Sequence, residues 1–343
     1  MLVNQARKSS VILGERVKSL AAVAALMLVQ NWLAPPALGE DWQQQHMPWG
    51  DPDLQGIWTS ATLTNLARPD DVDTLVLTEE QALAWEKYGQ ERIEEYENIG
   101  EGDLPVGGDT FAGYNSFWMD PGTHILRVRG EPRSSIIVEP EDGQLPLRLW
   151  GRLRMYWRGY QALNGTDNPE QRNQGERCTV GFGSTGGPPM LPVLYNNNYQ
   201  FVQSPGHVMI LVEMNHDART IRLQGEPLPA MIKPWLGDPM GHWEDDTLVI
   251  RTTQFHPQHD LRASTRHLFY MSENSVVDER FTRISENEIL YQFTVTDDDI
   301  YSQPWSGELT LRRSEGPIYE YACHEGNYAL PNILAGARRE EQE

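Results

Sequence analysis

The C-terminal half of the chain is a succession of short segments in which apolar and polar residues alternate. From residue 199 onward the segments are rich in β-branched and aromatic residues, and Gly, Asp, Asn or Pro separates each from the next. Such alternation is typical of strands with one buried face. The segments are YQFVQ, GHVMILVEM, ARTIRLQ, DTLVIRTTQF, VVDERFTRI, EILYQFTVT, GELTLRRS and IYEYAC. Eight antiparallel strands of this length predict an up-and-down β-barrel or a strongly curved sheet.

The part of the chain before residue 177 has a different pattern. Thr78 is followed three residues later by Gln81, which is the spacing of a capping box, and a helix is predicted from there to about residue 98. Segment 147–163 predicts a second helix, and short strands are expected near residues 124–129 and 134–138. We therefore expect an extension of about two helices and short strands over residues 40–176, packed on an antiparallel barrel domain formed by residues 177–343.

The first 39 residues have the pattern of a secretory signal peptide. Four basic residues precede an apolar run from Leu20 to Val29, and Ala37-Leu38-Gly39 offers small residues at a cleavage site. We expect cleavage near Gly39 and a periplasmic or secreted mature chain. The apolar run is shorter than a membrane-spanning helix, and no later segment is apolar enough, so no integral membrane segment is expected in the mature chain.

The chain is strongly acidic, with a net charge of -21. Loss of the four basic residues and one acidic residue before Glu40 would change that charge to -24. So acidic a protein repels phosphate backbones, which excludes nucleic acid as an expected partner and leaves a small-molecule ligand or substrate.

Segment 147–163 is an exception to the acidic composition, because it mixes arginines with aromatic residues. We expect this helix to dock against the acidic body rather than to bind nucleic acid. The residues concerned are Arg148, Arg152, Arg154, Arg158, Trp150, Trp157 and Tyr160.

Two cysteines, Cys178 and Cys323, are the only ones in the sequence. In an exported protein two cysteines predict one disulfide, and a bridged sulfur is not available as a nucleophile. His324 and Glu325 follow Cys323 directly. A disulfide would fix their loop, so we expect this pair at the mouth of a pocket, as a catalytic acid and base.

A second candidate pair, Glu213 and His216, ends the segment GHVMILVEM. Alternation places Glu213 on the face of Met209 and Leu211, which we expect to be the inner, apolar face. A buried carboxylate has a raised pKa and suits general acid–base chemistry. The alternative is a turn at His216, with Glu213 paired to Arg219.

A third candidate pair, His242 and Glu244, shares one face of a predicted strand, while Trp243 lies on the other. Histidine and glutamate on one face could bind a metal or act as acid and base. No further motif supports zinc, so no cofactor is expected with certainty and a divalent metal stays possible. The histidines of His256-Pro257-Gln258-His259 are expected in a polar loop, because proline breaks a helix that would align them.

Substrate-binding residues are expected in the amide-rich and aromatic run around residue 197 and at Trp243. Tyr195, Asn197 and Tyr199 combine aromatic faces with amide donors and acceptors, which suits a sugar or polyol but equally a hairpin turn. Five tryptophans, Trp243 among them, are expected either in the core or along an apolar pocket; they are Trp58, Trp118, Trp235, Trp243 and Trp305.

Several longer stretches together resemble an uncharacterised family of exported bacterial proteins, over nearly all of the mature chain. They are PDLQGIWT, RSSIIVEPEDGQLP, YNNNYQFVQSPGHVMILVEMNHDARTI, WLGDPMGHWEDDTLVIRTTQF, DERFTRI and YEYACHEGNY. In GHWEDDTLVI, Asp245 stands where glycine is frequent in such sequences. The resemblance implies no particular activity. More loosely, the C-terminal half is similar to lipocalin-like or calycin-like barrels, which implies a fold and little about function.

Two functional hypotheses follow. An exported enzyme would act on a small, largely apolar molecule by carboxylate and histidine acid–base chemistry, in hydrolysis, hydration, elimination or isomerisation. A non-catalytic extracytoplasmic binding protein would use the same barrel without chemistry. Histidines and carboxylates gathered in one cavity would favour the enzyme, and their dispersal over the exterior would favour the binding protein.

Overall fold

Short strands make up most of the regular structure in the computed structural model, which describes residues 42–97, 120 and 122–343. The expected signal peptide and Trp118 lie outside these residues. The strands are β1 (Gly56–Thr59), β2 (Arg127–Val128), β3 (Glu131–Pro132), β4 (Ile137–Glu139), β5 (Asn198–Ser204), β6 (His207–Val212), β7 (Ala218–Arg222), β8 (Asp238–Glu244), β9 (Thr247–Thr253), β10 (Leu261–Ser264), β11 (His267–Tyr270), β12 (Val276–Ser285), β13 (Glu288–Thr296) and β14 (Trp305–Arg313).

Four α-helices accompany the strands in the described residues, namely α1 (Glu79–Glu97), α2 (Leu149–Asn164), α3 (Gln174–Arg177) and α4 (Ala329–Glu340). The predicted capping box of α1 is present. The Thr78 amide donates to Gln81 Oε1 at 2.9 Å, and the Gln81 amide donates to Thr78 Oγ1 at 3.2 Å. These two bonds satisfy amides that have no partner within the helix, which is why the helix begins there.

Nine of the strands close into a barrel in the order β1-β5-β6-β7-β8-β9-β12-β13-β14, and β14 pairs again with β1. The predicted mainly β fold with a barrel is therefore confirmed. One pairing differs from the expected antiparallel pattern: β7 and β8 run parallel, and a single registered pair, Arg222 with Met240, joins them. The barrel is consequently mixed.

The barrel takes strands from both expected domains. β1 pairs with β5 and β14, and β4 pairs with the first part of β14. This corrects the expected boundary at residue 177, because the barrel is not closed without β1. Residues Gln44–Glu343 form one compact unit.

The predicted strand segments are borne out except at the end of the chain. IYEYAC, residues 318–323, contains no strand, whereas each of the other seven segments contains one. β8 was not among the segments, since its sequence DPMGHWE contains Pro and Gly and only its first residue is buried. The turn after β8 has Asp245 at φ 50°, a left-handed conformation that explains why glycine suits this position.

Aliphatic and aromatic side chains together fill the barrel. On β6 the buried residues are Val208, Ile210 and Val212. Tyr291 of β13 stacks on Phe281 of β12 with ring centroids 4.5 Å apart. Burial of such rings removes a large apolar area from water and is the main favourable term in the stability of the barrel.

The Gly/Pro loop, residues 181–193, covers this interior. Met190 within it is fully buried, and its amide donates to the Tyr291 hydroxyl at 2.9 Å. Gly183 has φ +71°, and a Cβ there would lie 2.7 Å from the Ala263 carbonyl oxygen. Glycine is therefore required at this close approach.

An ion pair between Arg219 of β7 and Glu279 of β12 lies inside the barrel with both side chains fully buried. Arg219 Nη1 donates to Glu279 Oε1 at 3.0 Å, and its Nη2 contacts Oε2. The Tyr291 hydroxyl donates to Glu279 Oε1 at 2.7 Å. Burial, followed by the Glu279 carboxylate, raises the pKa of Tyr291 well above its ordinary value, so the phenol keeps the proton that it donates.

We expect Glu279→Gln to lower the free energy of unfolding by about 3–5 kcal/mol, because Arg219 would be left as a buried charge without its counter-ion. Asp278→Asn is the matched control. Asp278 is the next residue, and its ion pair with Arg251 at 3.1 Å is exposed, so the change should cost less than about 1 kcal/mol. Urea unfolding measures both losses.

Replacement of both members of the buried pair tests the same explanation. Arg219→Met with Glu279→Leu removes both charges, and this double variant should be more stable than Glu279→Gln alone. Equal losses in Glu279→Gln and Asp278→Asn would contradict the importance of the buried pair.

Candidate functional site

Glu213 is buried, but outside the barrel interior. The inward residues of β6 are Val208, Ile210 and Val212, so the expectation that Met209 and Leu211 face inward is wrong. The reason is that alternation defines two faces and does not say which one the core covers. Glu213 Oε2 accepts from Asn198 Nδ2 at 2.8 Å, and its Oε1 accepts from the Tyr319 amide at 3.1 Å. The alternative pairing with Arg219 is also wrong, since Arg219 pairs with Glu279.

His216 contacts the same stretch of backbone as Glu213. The Tyr321 amide donates to His216 Nε2 at 3.1 Å, and the Tyr319 carbonyl oxygen lies 3.3 Å from that atom. Glu213 and His216 therefore hold the C-terminal segment, residues 314–328, against the end of β6.

His242 and Glu244 lie together on the exterior of the barrel. His242 Nε2 is 3.2 Å from Glu244 Oε1, and Arg280 Nη1 donates to Glu244 Oε2 at 2.8 Å. Hydrogen bonds from Arg280 and then His242 lower the pKa of Glu244. Their side chains are 62% and 48% exposed, so the pair lies in water and not in a cavity.

His324 and Glu325 are exposed in the turn after Cys323. The predicted disulfide is confirmed, with Cys178 and Cys323 Cα atoms 5.7 Å apart. The bridge fixes the loop as expected, and neither side chain lines the cleft described below.

The residues expected to bind substrate lie in separate surroundings. Tyr199 is fully buried and accepts from Ser60 Oγ at 3.4 Å, and burial raises its pKa to about 12. Asn197 closes a turn by accepting from the Val193 amide at 2.8 Å. Tyr195 stacks on Phe182 at 6.4 Å.

Trp243 is the remaining predicted binding residue. Its side chain is partly buried and packs against the barrel core. Trp243, like Asn197 and Tyr199, is absent from the lining of the cleft, so the predicted substrate-binding residues form no common surface there.

A cleft of about 530 Å³ opens beside β7, a feature that alternation in the sequence does not indicate. Parallel strands need a long crossover, and residues 223–237 supply it between β7 and β8. The cleft lies between β7 and the end of this crossover. Its lining includes Val180, His207, Asp217, Ala218, Thr220, Arg222, Leu228, Pro234, Trp235, Leu236 and Asp238.

Asp217 is the partly buried carboxylate of the cleft. Its Oδ2 accepts from the Gly181 amide at 2.6 Å and its Oδ1 from Asn215 Nδ2 at 3.2 Å. Desolvation raises its pKa above the ordinary value of 3.8, although these hydrogen bonds and His216 act in the opposite direction. A Cβ on Gly186 would lie 3.3 Å from Asp217 Oδ2, so small residues surround the carboxylate closely.

Trp235 supplies the aromatic surface of the cleft. Its ring stacks on His256 with centroids 3.9 Å apart, and the Arg177 guanidinium lies 5.7 Å from the ring centre. His259 Nδ1 lies 2.5 Å from the Trp235 carbonyl oxygen. Burial lowers the pKa of both histidines, so the neutral imidazoles support the indole. The expected loop is present, since residues 254–260 form neither helix nor strand, and His259 is buried within it.

Asp238 closes the other side of the cleft. It forms an ion pair with Arg222 at 2.5 Å and accepts from the Leu228 amide at 2.8 Å. Asp238 is thus already paired with a cation, whereas Asp217 accepts from the two neutral donors named above.

The comparisons with known proteins give no match: no family model, no curated protein and no solved structure is similar to the chain. The resemblance to exported bacterial proteins stays a prediction.

Neither a metal-binding cluster nor a helix able to span a membrane occurs within the described ranges 42–97, 120 and 122–343. No group of three or more His, Cys, Asp or Glu there is arranged to hold a metal ion. None of the helices in that part of the chain has the length and apolar character needed to cross a membrane.

Glu213→Ala should accelerate amide hydrogen exchange at Tyr319 and Tyr321, because it removes the carboxylate that accepts from the segment. It should also cost about 1–3 kcal/mol of stability, since Asn198 loses its acceptor in a buried site. Glu244→Ala is the control, and exchange at both tyrosines should not change. Unaltered exchange in Glu213→Ala would contradict a holding role for Glu213.

Proposed function

We propose that the protein is an exported small-molecule-binding protein whose ligand occupies the cleft beside β7. The observation that carries the proposal is the cleft itself. Its volume of about 530 Å³ is in the range of small-molecule sites, and it combines apolar walls with a partly buried carboxylate.

The dispersal of the predicted catalytic residues favours binding over catalysis. Glu213 and His216 hold the C-terminal segment, and the His242–Glu244 pair is on the barrel exterior. A general acid and base must both reach one substrate, and none of these residues lines the cleft.

The lining of the cleft indicates the ligand class. Trp235, Leu228 and Leu236 offer aromatic and apolar contact, and Asp217 offers an acceptor or a negative charge. We infer a small, largely apolar molecule that carries one hydrogen-bond donor or one cationic group.

Export is supported by two independent features of the chain. The first 39 residues have the pattern of a signal peptide, and a disulfide joins Cys178 to Cys323. Disulfides form and persist outside the reducing cytosol, which agrees with a periplasmic or secreted protein.

Acid–base catalysis in the same cleft is the second candidate, and the raised pKa of Asp217 favours it. A carboxyl group with a raised pKa can take up and release a proton nearer neutral pH. His207 lines the same cleft and is the other titratable group that we would test. An enzyme of this kind would carry out hydration, elimination, isomerisation or hydrolysis.

Binding of 1-naphthylmethylamine, measured by calorimetry, tests the proposed site. Trp235→Leu should weaken binding about two- to tenfold, because an aromatic contact of about 0.5–1.5 kcal/mol is lost. Trp243→Leu removes a partly buried tryptophan outside the cleft and should leave affinity unchanged. Equal effects of the two substitutions would contradict the site.

The pH dependence tests the role of Asp217. The Asp217 carboxyl group is negatively charged above its raised pKa and loses that charge as the pH falls through the pKa. Attraction for an amine is therefore present above the pKa and is lost below it. Amine binding should therefore tighten with rising pH, and Asp217→Asn should abolish this dependence. The neutral 1-naphthalenemethanol should show none; a pH dependence that persists in Asp217→Asn would exclude Asp217 as the ligand's partner.

A further inference from the structure

Helix α2 is attached to the barrel by a narrow stripe of small and polar residues. Its buried residues are Gly151, Arg158 and Ala162. A Cβ on Gly151 would lie 2.4 Å from the Ile300 carbonyl oxygen, so the helix backbone approaches the body closely. Arg158 Nε donates to Asp260 Oδ1 at 3.2 Å. The helix is thus held by an ion pair and by close backbone packing.

The opposite face of α2 is apolar and exposed. An amphipathic helix of a globular protein normally turns its apolar face to the core, and here the arrangement is reversed. Each large apolar side chain of this outer face is at least 51% exposed; they are Leu149, Trp150, Leu153, Tyr156, Trp157 and Leu163, together with Tyr160. A continuous exposed patch of this kind marks an interaction surface. The expected docking against the acidic body holds for Arg158 and not for the aromatic residues.

The charge of α2 is opposite to that of the whole chain. Its sixteen residues, LWGRLRMYWRGYQALN, contain no Asp or Glu, whereas the chain carries -21. Arg152 and Arg154 are exposed, as is Arg148 just before the helix. The Arg154 guanidinium lies 5.6 Å from the centre of the Trp150 ring.

We propose that α2 is a membrane-surface helix that binds the headgroup region of an anionic lipid bilayer. Trp and Tyr favour this region because their rings are apolar with a polar edge, and Arg is attracted to anionic headgroups. A helix of sixteen residues is about 24 Å long and lies in the plane of the interface. The acidic remainder of the protein is repelled by the same surface, which orients α2 toward it.

A second copy of this chain is the competing occupant of the apolar face. A two-fold contact through α2 would bring Arg152 and Arg154 of both copies to the same interface, where like charges repel. Anionic lipid instead neutralises these arginines. The membrane surface is therefore the occupant that the charge favours.

Co-sedimentation of the full mature protein with vesicles tests the proposal. We expect binding to phosphatidylcholine vesicles that contain 30% phosphatidylglycerol, and weaker binding to pure phosphatidylcholine. Arg152→Gln with Arg154→Gln should weaken binding to the anionic vesicles about thirtyfold, at about one kcal/mol for each arginine. Trp150→Ser with Trp157→Ser should weaken binding to both compositions at least tenfold.

Matched controls change the same charge or apolar area elsewhere. Arg251→Gln with Arg280→Gln alters the net charge equally on the barrel exterior, and Met231→Ser removes another exposed apolar side chain; neither should affect sedimentation. Equal losses in the two double arginine variants would overturn the proposal. So would the absence of wild-type binding to anionic vesicles. A dimer in light scattering that is lost in Trp150→Ser with Trp157→Ser, without vesicle binding, would assign the face to a second copy.

Discussion

The buried ion pair between Arg219 and Glu279 is the constraint on which the rest of the barrel depends. Two charges withdrawn from water are stable only when hydrogen bonds satisfy them, and Tyr291 provides one to Glu279. Tyr291 in turn accepts from Met190 of the Gly/Pro loop. The loop must therefore fold onto the barrel, and its apolar residues then occupy space that a ligand-binding barrel would leave open. The cleft proposed as the ligand site lies outside the barrel interior, beside β7.

The same strand that supplies Arg219 also supplies the candidate site. β7 turns Arg219 and Ile221 inward, while Ala218 and Thr220 face outward along the cleft. Its parallel pairing with β8 requires a crossover, and the end of that crossover places Trp235 opposite Asp217. Asp217 depends on the Gly/Pro loop as well, through its hydrogen bond with Gly181. The buried Arg219–Glu279 pair, the Gly/Pro loop and the cleft are therefore linked to one another by hydrogen bonds.

Two of the predicted catalytic residues hold the C-terminal segment in place. Glu213 and His216 bind backbone atoms of the C-terminal segment, and the disulfide at Cys323 secures the same segment to the end of α3. This segment contains no strand, and side chains accept from two of its amides, those of Tyr319 and Tyr321. The Glu213 carboxylate is thus buried and accepts two hydrogen bonds, one of them from this segment.

The sequence by itself determined the local elements: alternation predicted most strands, the capping box predicted the start of α1, and two cysteines predicted the disulfide. Alternation and the capping box depend on residues that are close together in the sequence, and the disulfide follows from the presence of two cysteines. The tertiary structure alone decided that β1 closes the barrel, that β7 and β8 are parallel, and that Glu213 lies outside. Alternation in the sequence distinguishes the two faces of a strand but does not indicate which face is buried. Packing between residues that are far apart in the sequence determines the buried face. Asp217 and Trp235 line one cleft for the same reason, so that cleft cannot be predicted from the sequence.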